Sequence, residues 1–212
     1  MPTVTIIDYG IGNLLSVARA FEHCGANIVL TDDPAKITGA DFLVLPGVGA
    51  FADGMAGLKE RKLVDPILEF AITGRPFLGI CLGMQMMLDE SEEFGANEGL
   101  GLVPGRVVAI PAVGSDGIAH KIPHIGWNEI VTPEAIEWQG TILDGIIPGS
   151  SFYFVHSFTA IPTHHEHRLA DCYYNRQLIS AAIRKDNLYG CQFHPEKSGV
   201  LGHHIIEKFL EK

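Results

Sequence analysis

Cys81 has the sequence surroundings of a catalytic nucleophile. It lies in P-F-L-G-I-C-L-G-M-Q, residues 76–85, where an apolar stretch gives way to a helix-forming one, and Gly79 and Gly83 flank it at minus two and plus two. Such a G-x-C-x-G turn is a nucleophile elbow, which presents the sulfur at the edge of a sheet. The following helix directs its positive end at the sulfur, and the amide of Leu82 is free to donate to an oxyanion. Taken alone, the pattern also fits a cysteine buried in a strand-to-helix turn.

A histidine and a carboxylate occur together near the C-terminus. In Y-G-C-Q-F-H-P-E-K-S, residues 189–198, His194 and Glu196 are two positions apart at the end of an apolar run. If this segment is extended, both side chains lie on one face, with Pro195 stiffening the backbone between them. A carboxylate can then orient an imidazole that serves a nucleophile as base and acid. By itself the segment also fits a surface loop, but with Cys81 it indicates a Cys–His–Glu triad.

A glycine-rich turn completes the set of chemical motifs. L-V-L-P-G-V-G-A-F, residues 43–51, is a strand-like run that enters the turn Gly47-Val48-Gly49. Alone it fits a tight turn or a weak phosphate loop. Beside a nucleophilic cysteine, its backbone amides can form an oxyanion hole, and the glycines permit a peptide flip that aims an N–H group.

The elements that must position these motifs alternate in type along the first half of the chain, as in βαβ units with a mostly parallel sheet. Strands are predicted at 4–7, 28–30, 42–45 and 76–80, and helices at 13–24, about 53–70 with a break near Pro66, and 82 to about 90. In the second half, strands at 105–110, 127–131, 152–159, 177–183 and 188–193 are predicted as antiparallel additions, and an amphipathic helix at 199–212 should cover the sheet. We therefore expect an α/β fold in one domain over residues 1–212.

Composition excludes several classes of protein. The 212 residues are 47% hydrophobic and 19% charged, so the chain can bury a core. A net charge of −10 argues against nucleic-acid binding, which requires a basic surface, and suits small molecules or a complementary partner. The N-terminus lacks the features of a signal peptide, and the longest stretch without Asp, Glu, Lys or Arg, from 145 to about 163, is interrupted by prolines and glycine. We expect a cytoplasmic protein without membrane spans.

The cysteines and histidines outside the triad are not arranged to bind a metal ion. Cys24, Cys172 and Cys191 form no C-x-x-C pair and are expected to pack in the core. The tract 164–167 (H-H-E-H) is interpreted as a solvated turn, and the adjacent histidines at 203 and 204 cannot face one metal ion from a helix. The sequence predicts neither a metal site nor a cofactor.

The three chemical motifs, in this order, resemble those of the class I, triad-type glutamine amidotransferases, which have a flavodoxin-like α/β fold. Within that class, I-D-Y-G-I-G-N-L at 7–14, P-H-I-G-W-N at 123–128 and Q-F-H-P-E-K-S at 192–198 resemble the glutaminase subunits of imidazole glycerol phosphate synthase, an enzyme of histidine biosynthesis. The resemblance extends over essentially the whole chain.

The resemblance implies a catalytic cycle for glutamine hydrolysis. Cys81 would attack the side-chain carboxamide, with the oxyanion held by the amides of Leu82 and of the turn Gly47-Val48-Gly49. His194 would protonate the departing ammonia and then activate water, and Glu196 would orient it. Gly49, Gln85 and Glu93 match positions that contact glutamine in the family, and Ser157 is a weaker candidate.

The resemblance also implies a partner. In the family, ammonia passes to a separate cyclase with the (β/α)₈ barrel fold, for which 212 residues leave no room. The expected interface includes His124, Trp127, Asn128 and Lys197, with His120 and Lys121 flanking the same segment. Glutaminase activity should be low without the partner, with Gly47-Val48-Gly49 as the switch.

Three alternatives stay open at the level of sequence. A related cysteine hydrolase acting on another amide or γ-glutamyl bond would keep the elbow but need no partner. A nucleotide-binding module could use residues 8–14, although Leu15 stands where the third glycine of that motif belongs. A catalytically inactive homologue is disfavoured because all the triad residues are present. The segment 112–120 departs from the family pattern and is predicted to be a loop.

Overall fold

The structure, a computed structural model, describes residues 1–114 and 117–212. Its helices are α1 (Leu14–His23), α2 (Pro34–Thr38), α3 (Phe51–Glu60), α4 (Val64–Ala71), α5 (Leu82–Met86) and α6 (Gly199–Leu210). Its strands are β1 (Thr3–Ile7), β2 (Asn27–Thr31), β3 (Phe42–Gly47), β4 (Phe77–Cys81), β5 (Glu90–Ser91), β6 (Asn97–Glu98), β7 (Gly105–Ala109), β8 (His124–Val131), β9 (Ser151–His156), β10 (Phe158–Pro162), β11 (Arg168–Tyr174), β12 (Gln177–Lys185) and β13 (Leu188–Cys191).

A large mixed sheet organises the molecule. Across the described residues it has nine strands in the order β2-β1-β3-β4-β13-β12-β11-β8-β9. The neighbours from β2 to β13 are parallel, and those from β13 to β9 are antiparallel. A smaller sheet has the order β10-β7-β5-β6. The predicted mostly parallel first half with antiparallel additions is therefore present, except that β13 pairs in parallel with β4.

Apolar side chains cover both faces of the large sheet, which explains why β1, β3 and β4 read as continuous hydrophobic runs. One core includes residues of α1 and α6, and the other includes residues of α3 and α4. As predicted, the C-terminal helix packs on the sheet: the ring of Phe209 lies 6.1 Å from that of Phe21 and 5.6 Å from that of Phe42. Among the described residues, no helix is long and apolar enough to cross a membrane.

Two predicted helices have different bounds in the structure. The helix after Cys81 ends at Met86 instead of near residue 90, because the amides of Leu100 and Leu102 bind the carbonyls of Met86 and Met87. The break in the predicted helix 53–70 lies between α3 and α4, near Lys62, whose φ is 58°. Pro66 instead lies in the first turn of α4, where its missing amide costs no helical hydrogen bond.

The predicted strand 152–159 is two strands in different sheets. β9 belongs to the large sheet and β10 to the small one, and the chain changes sheet at Ser157. This break could not be read from an unbroken run of strand-forming residues. The prediction also lacked β11 and the short α2. Of the predicted loop 112–120, Val113 and Ala119 form an isolated bridge, while Ser115 and Asp116 lie outside the described residues.

Candidate active site

Cys81 is held in a strained turn where β4 ends and α5 begins. Its φ of 54° and ψ of −110° lie outside the conformations that a side-chain-bearing residue prefers. The flanking glycines are required by close backbone approach: a Cβ on Gly83 would lie 1.8 Å from the carbonyl oxygen of Leu45, and one on Gly79 would lie 2.8 Å from that of Gly83. These contacts press α5 against the strands, so that the elbow projects the Cys81 side chain from the carboxyl end of the sheet.

His194 and Glu196 are paired beside Cys81. The Nδ1 atom of His194 lies 2.7 Å from Oε1 of Glu196, and both side chains are almost fully buried. The pKa of His194 is raised to about 9: burial lowers it, and hydrogen bonds with Cys81 and Glu196 raise it by more. Because Nδ1 binds Glu196, Nε2 is the ring nitrogen left to interact with Cys81, and it is buried without another partner among the described residues.

The segment that carries the pair is not extended, which is the condition under which the sequence placed both side chains on one face. β13 ends at Cys191, and Pro195–Lys197 forms a short 3₁₀ helix, so a tight turn brings the ring and the carboxylate together. The turn is fastened to β9 at two points. The amide of His194 donates to the carbonyl of Tyr153 (2.9 Å), and the hydroxyl of Ser198 donates to the carbonyl of His194 (2.7 Å) while accepting from the amide of Tyr153 (3.0 Å). Sequence reasoning missed this role of Ser198.

The glycine-rich turn lies directly beside the elbow. In the parallel pairing of β3 with β4, Gly47 is opposite Cys81, so the chain that follows passes next to the sulfur. A Cβ on Gly47 would lie 2.5 Å from the hydroxyl of Tyr9, which donates to the carbonyl of Pro46 at 2.8 Å. Gly49 has a φ of 100°, in the region that favours glycine. The turn can therefore present amides toward a group bound at Cys81.

A cavity of about 270 Å³ adjoins the triad. It is lined by Val48, Gly49, Cys81, Leu82, Gln85, Glu93, Pro123, Val155, His156, Ser157, Phe158 and His194. The predicted nucleophile, its histidine, two residues of the glycine turn and the polar residues expected to bind glutamine thus share one small, partly polar chamber. That size suits an amino acid rather than a nucleotide.

Glu93 supplies negative charge to this cavity. It is buried, and its Oε2 accepts a hydrogen bond from the amide of Phe51, the first residue of α3, at 2.6 Å. This contact fixes the carboxylate at a helix N-terminus, where negative charge is stabilised. A carboxylate so placed can bind the ammonium group of an amino acid.

Gln85 and Gln192 connect the cavity wall to the sulfur. Nε2 of Gln85 donates to the carbonyl of Phe158 (3.1 Å) and to Oε1 of Gln192 (2.9 Å), and Nε2 of Gln192 lies 3.7 Å from Sγ of Cys81. Sγ is also 3.8 Å from the carbonyl of Val155. Gln192 was not predicted, although it stands only two positions before His194. Its role depends on a contact between residues far apart in sequence, which periodicity does not reveal.

The residues expected at a partner interface fall into two groups. Trp127 is 60% exposed, and its ring lies 6.1 Å from that of Tyr153, over which the ammonium of Lys197 also lies, at 5.8 Å from the ring centroid. His124 is instead buried, and Asn128 is partly buried with its amide bound to the carbonyl of Tyr173. The structure thus brings Trp127 and Lys197 together at the surface and directs His124 inward.

In the part of the chain that the structure describes, no group of three His, Cys, Asp or Glu side chains is arranged to hold a metal ion.

The remaining cysteines are poor nucleophiles. Burial raises the pKa of Cys24 to about 11 and that of Cys172 to about 12, and it raises the pKa of Cys191 as well.

Comparison with known proteins shows the family to which this chain belongs. The family model for class-I glutamine amidotransferases matches residues 5–212. The imidazole glycerol phosphate synthase subunit HisH 1 of Legionella pneumophila strain Lens is 59% identical, with both chains covered completely. The HisH subunit of Syntrophotalea carbinolica is 47% identical over 97% of this chain and 98% of its own.

Solved structures share the fold at much lower identity. PurLQS from Thermotoga maritima superposes with a TM-score of 0.72 at 19% identity, covering 99% of this chain and 98% of that one. A glutamine amidotransferase from the same organism gives a TM-score of 0.59 at 17% identity, covering 99% of this chain and 83% of that one. The chain belongs to the class-I glutamine amidotransferase family, among the HisH subunits of imidazole glycerol phosphate synthase.

Proposed function

We propose that this chain is the glutaminase subunit of imidazole glycerol phosphate synthase. It hydrolyses glutamine to glutamate and ammonia and passes the ammonia to a cyclase subunit, HisF, which makes imidazole glycerol phosphate and an aminoimidazole carboxamide ribotide in histidine biosynthesis. The observation that carries the proposal is the elbow cysteine beside a buried His–Glu pair in an amino-acid-sized cavity, in a chain that matches HisH subunits over its full length. The whole chain, 1–212, acts as one cytoplasmic domain without a cofactor.

The first half-reaction forms a thioester. Sγ of Cys81 bonds to the side-chain carbonyl carbon of glutamine, and negative charge moves to the carbonyl oxygen. The amide of Leu82, at the start of α5, and an amide of the turn Gly47-Val48-Gly49 stabilise that charge. His194, protonated at neutral pH because its pKa is about 9, gives its proton to the nitrogen as the carbon–nitrogen bond breaks. Ammonia leaves, and the glutamyl group remains on sulfur.

The second half-reaction releases glutamate. His194, now neutral, takes a proton from water as the water oxygen attacks the thioester carbon. The carbon–sulfur bond then breaks, glutamate departs, and the sulfur is left as thiolate beside the protonated imidazole. Glu196 holds Nδ1 of the ring throughout, at 2.7 Å, so that Nε2 alone exchanges protons with the substrate.

Charge and hydrogen bonding in the cavity select glutamine. The carboxylate of Glu93 takes the α-ammonium group. Both amide hydrogens of Gln85 are engaged, so its Oε1 is the atom presented to the ligand, while Gly49 and Ser157 line the remaining wall. Trp127, Lys197 and Asn128 face or adjoin the cyclase, and His124 supports that surface from within.

The test is glutamate release from glutamine by the purified chain, alone and with the cyclase and its nucleotide substrate. Turnover near background alone, a rise of orders of magnitude in the complex and loss in Cys81→Ala are expected. Cys191→Ala, which removes another buried thiol, is the matched control and retains activity. High activity that is indifferent to the cyclase would instead favour a cysteine hydrolase without ammonia transfer, and no activity in any mixture would refute the proposal.

A further inference from the structure

Two buried histidines outside the triad are linked to each other and to the cavity. Nδ1 of His124, on β8, lies 2.9 Å from Nε2 of His156, on β9. Nδ1 of His156 in turn lies 2.7 Å from the carbonyl oxygen of Phe158. At the other end, Nε2 of His124 is 3.4 Å from the amide nitrogen of Asn128. The pair therefore connects β8, which has an exposed face, with the cavity wall that includes His156 and Phe158.

Main-chain carbonyls fix the direction of every bond in this series. The carbonyl of Phe158 can only accept, so Nδ1 of His156 carries a hydrogen and its Nε2, when the ring is neutral, accepts from His124. Nδ1 of His124 then carries a hydrogen, and its Nε2 accepts from Asn128. The same amide nitrogen of Asn128 donates to the carbonyl of Tyr173 at 3.0 Å, which is the orientation that this order of donors requires.

Both rings are neutral at physiological pH. Burial lowers the pKa of His124 to about 4 and that of His156 to about 3. The ring of His124 is stacked between those of Phe154 (5.0 Å) and Tyr174 (4.1 Å), which holds its plane in place. Each ring thus has one tautomer and one orientation, and neither is free to act as a proton carrier for the triad without breaking the series.

The carbonyl of Phe158 joins this series to the nucleophile. It also accepts from Nε2 of Gln85, which donates to Gln192, whose Nε2 faces Sγ of Cys81. His156 therefore shares an acceptor with the side chain that presents its oxygen to glutamine. A shift of this carbonyl would move the amides of Gln85 and Gln192 together.

We propose that His124 and His156 are positioning residues, through which strand β8 sets the orientation of Gln85 and Gln192 in the glutamine cavity. The inference rests on the proposed glutaminase function for its substrate, but the arrangement itself concerns only this chain. Neither histidine exchanges protons with the substrate. The pair holds the carbonyl of Phe158, and the hydrogen bonds of that carbonyl hold the glutamine-binding amide.

Two substitutions at His156 separate this role from simple packing. In His156→Asn, the amide nitrogen takes the place of Nδ1 and can still donate to Phe158. In His156→Gln, the longer amide reaches the position of Nε2, so it can accept from His124 but no longer donates to Phe158. In the complex with the cyclase and its nucleotide, we expect His156→Gln to raise the glutamine KM by about fivefold to tenfold, as loss of one hydrogen bond implies, with a smaller change in kcat. His156→Asn should raise it much less.

A second readout does not depend on glutamine turnover. The alkylation rate of Cys81 by iodoacetamide in the isolated chain should fall in the same order, with His156→Gln slower than His156→Asn, because Gln192 loses its fixed orientation toward the sulfur. His204→Ala is the matched control: that histidine also binds a carbonyl, of Asp144 at 2.8 Å, but on α6 away from the cavity. It should change neither readout, while thermal unfolding verifies that all variants fold.

The outcomes distinguish this inference from the proposed function. If the wild-type complex releases no glutamate, the glutaminase proposal fails, and the alkylation order alone decides the role of His156. If the wild-type complex is active but the two His156 variants have equal KM values and equal alkylation rates, the pair has no positioning role and the inference is overturned. The expected order in both readouts supports it.

Discussion

The charge of His194 is the property of a single residue on which the proposed chemistry most depends. Its ring is buried, which alone would favour the neutral form, yet contact with Cys81 and Glu196 raises its pKa to about 9 from an ordinary value of 6.5. At neutral pH the proton is therefore already present on the ring before substrate binds. The positive imidazole stabilises negative charge on the attacking sulfur and is ready to protonate the leaving nitrogen.

A pH dependence of stability follows from this charge. A pKa that is higher in the folded state contributes stability below pH 6.5 and loses it as the pH rises through about 9. The free energy of unfolding, from denaturant titrations at pH 6, 7.5 and 9, should fall across this range in the wild type. Glu196→Gln removes one of the groups that raise the pKa of His194, so the fall should be smaller. Equal slopes for the two proteins would mean that Glu196 does not hold the charge.

Gln192 should contribute to catalysis although it carries no charge and touches the sulfur only through a long contact. Gln192→Met keeps the length of the side chain but removes the donor toward Sγ and the acceptor for Gln85. We expect kcat for glutamate release to fall about tenfold, as for loss of one hydrogen bond to the sulfur when it leaves the thioester as a thiolate. Gln177→Met, which removes a surface glutamine bound to the carbonyl of Val113, is the control and should have wild-type kcat. An unchanged kcat in Gln192→Met would contradict the assigned role.

At the scale of elements, the glycines of the elbow are required because neighbouring backbone leaves no space for a side chain. Gly49 of the oxyanion turn is required because its φ is positive. A Cβ on Gly83 would overlap the carbonyl of Leu45, which belongs to backbone and cannot move aside. We therefore expect Gly83→Ala to lower the free energy of unfolding by about 3 kcal/mol, the upper end of the usual cost of overpacking. Gly49 has no neighbour within 4 Å of an added Cβ, but its φ is 100°, so Gly49→Ala should cost only about 1–2 kcal/mol.

Gly49→Ala should affect glutamate release more strongly than its small effect on stability implies. Gly49→Ala folds but restricts the turn that presents an amide to the oxyanion, so glutamate release in the complex should fall well beyond the modest loss of stability. Denaturant unfolding and kcat measured on the same preparation check this. If Gly49→Ala retained full kcat, the turn would not need the freedom of glycine for catalysis.

The sequence was informative where chemistry and local geometry are encoded within a few residues. The apolar runs at β1, β3 and β4 and the glycines around Cys81 predicted the parallel core and the elbow, because burial on both faces and close approach leave local signatures. The contacts of Gln192 and Ser198 join residues 111 and 45 positions apart, so no local pattern reveals them. The change of sheet at Ser157 was missed for the same reason: which sheet a strand joins is decided by its partners.

At the scale of the whole molecule, the outer strands β8 and β9 connect the cavity with the surface. Side chains alternate along β8, so that Ile125 and Trp127 are exposed while His124 and Ile130 are buried. Trp127 pairs with Tyr153 on β9, next to Lys197, the residue that follows Glu196. A large exposed aromatic ring on a pair of strands, of which β9 also lines the cavity, is the type of residue that is enriched at partner contacts.

Trp127 should therefore be a principal contact for the cyclase. Trp127→Ala removes a large exposed ring, and we expect it to weaken the complex by about 2 kcal/mol, or roughly thirtyfold in Kd, with little effect on unfolding. Titration calorimetry of the variant with the cyclase measures this directly. Ile72→Ala, at a residue that is 88% exposed just beyond α4, is the control, since it removes apolar surface that adjoins none of the strands near the cavity. Because β8 also carries His124, docking on Trp127 would act on the strand that, through the histidine pair, holds the glutamine-binding amides. Equal affinities for wild type and Trp127→Ala would move the interface away from this face.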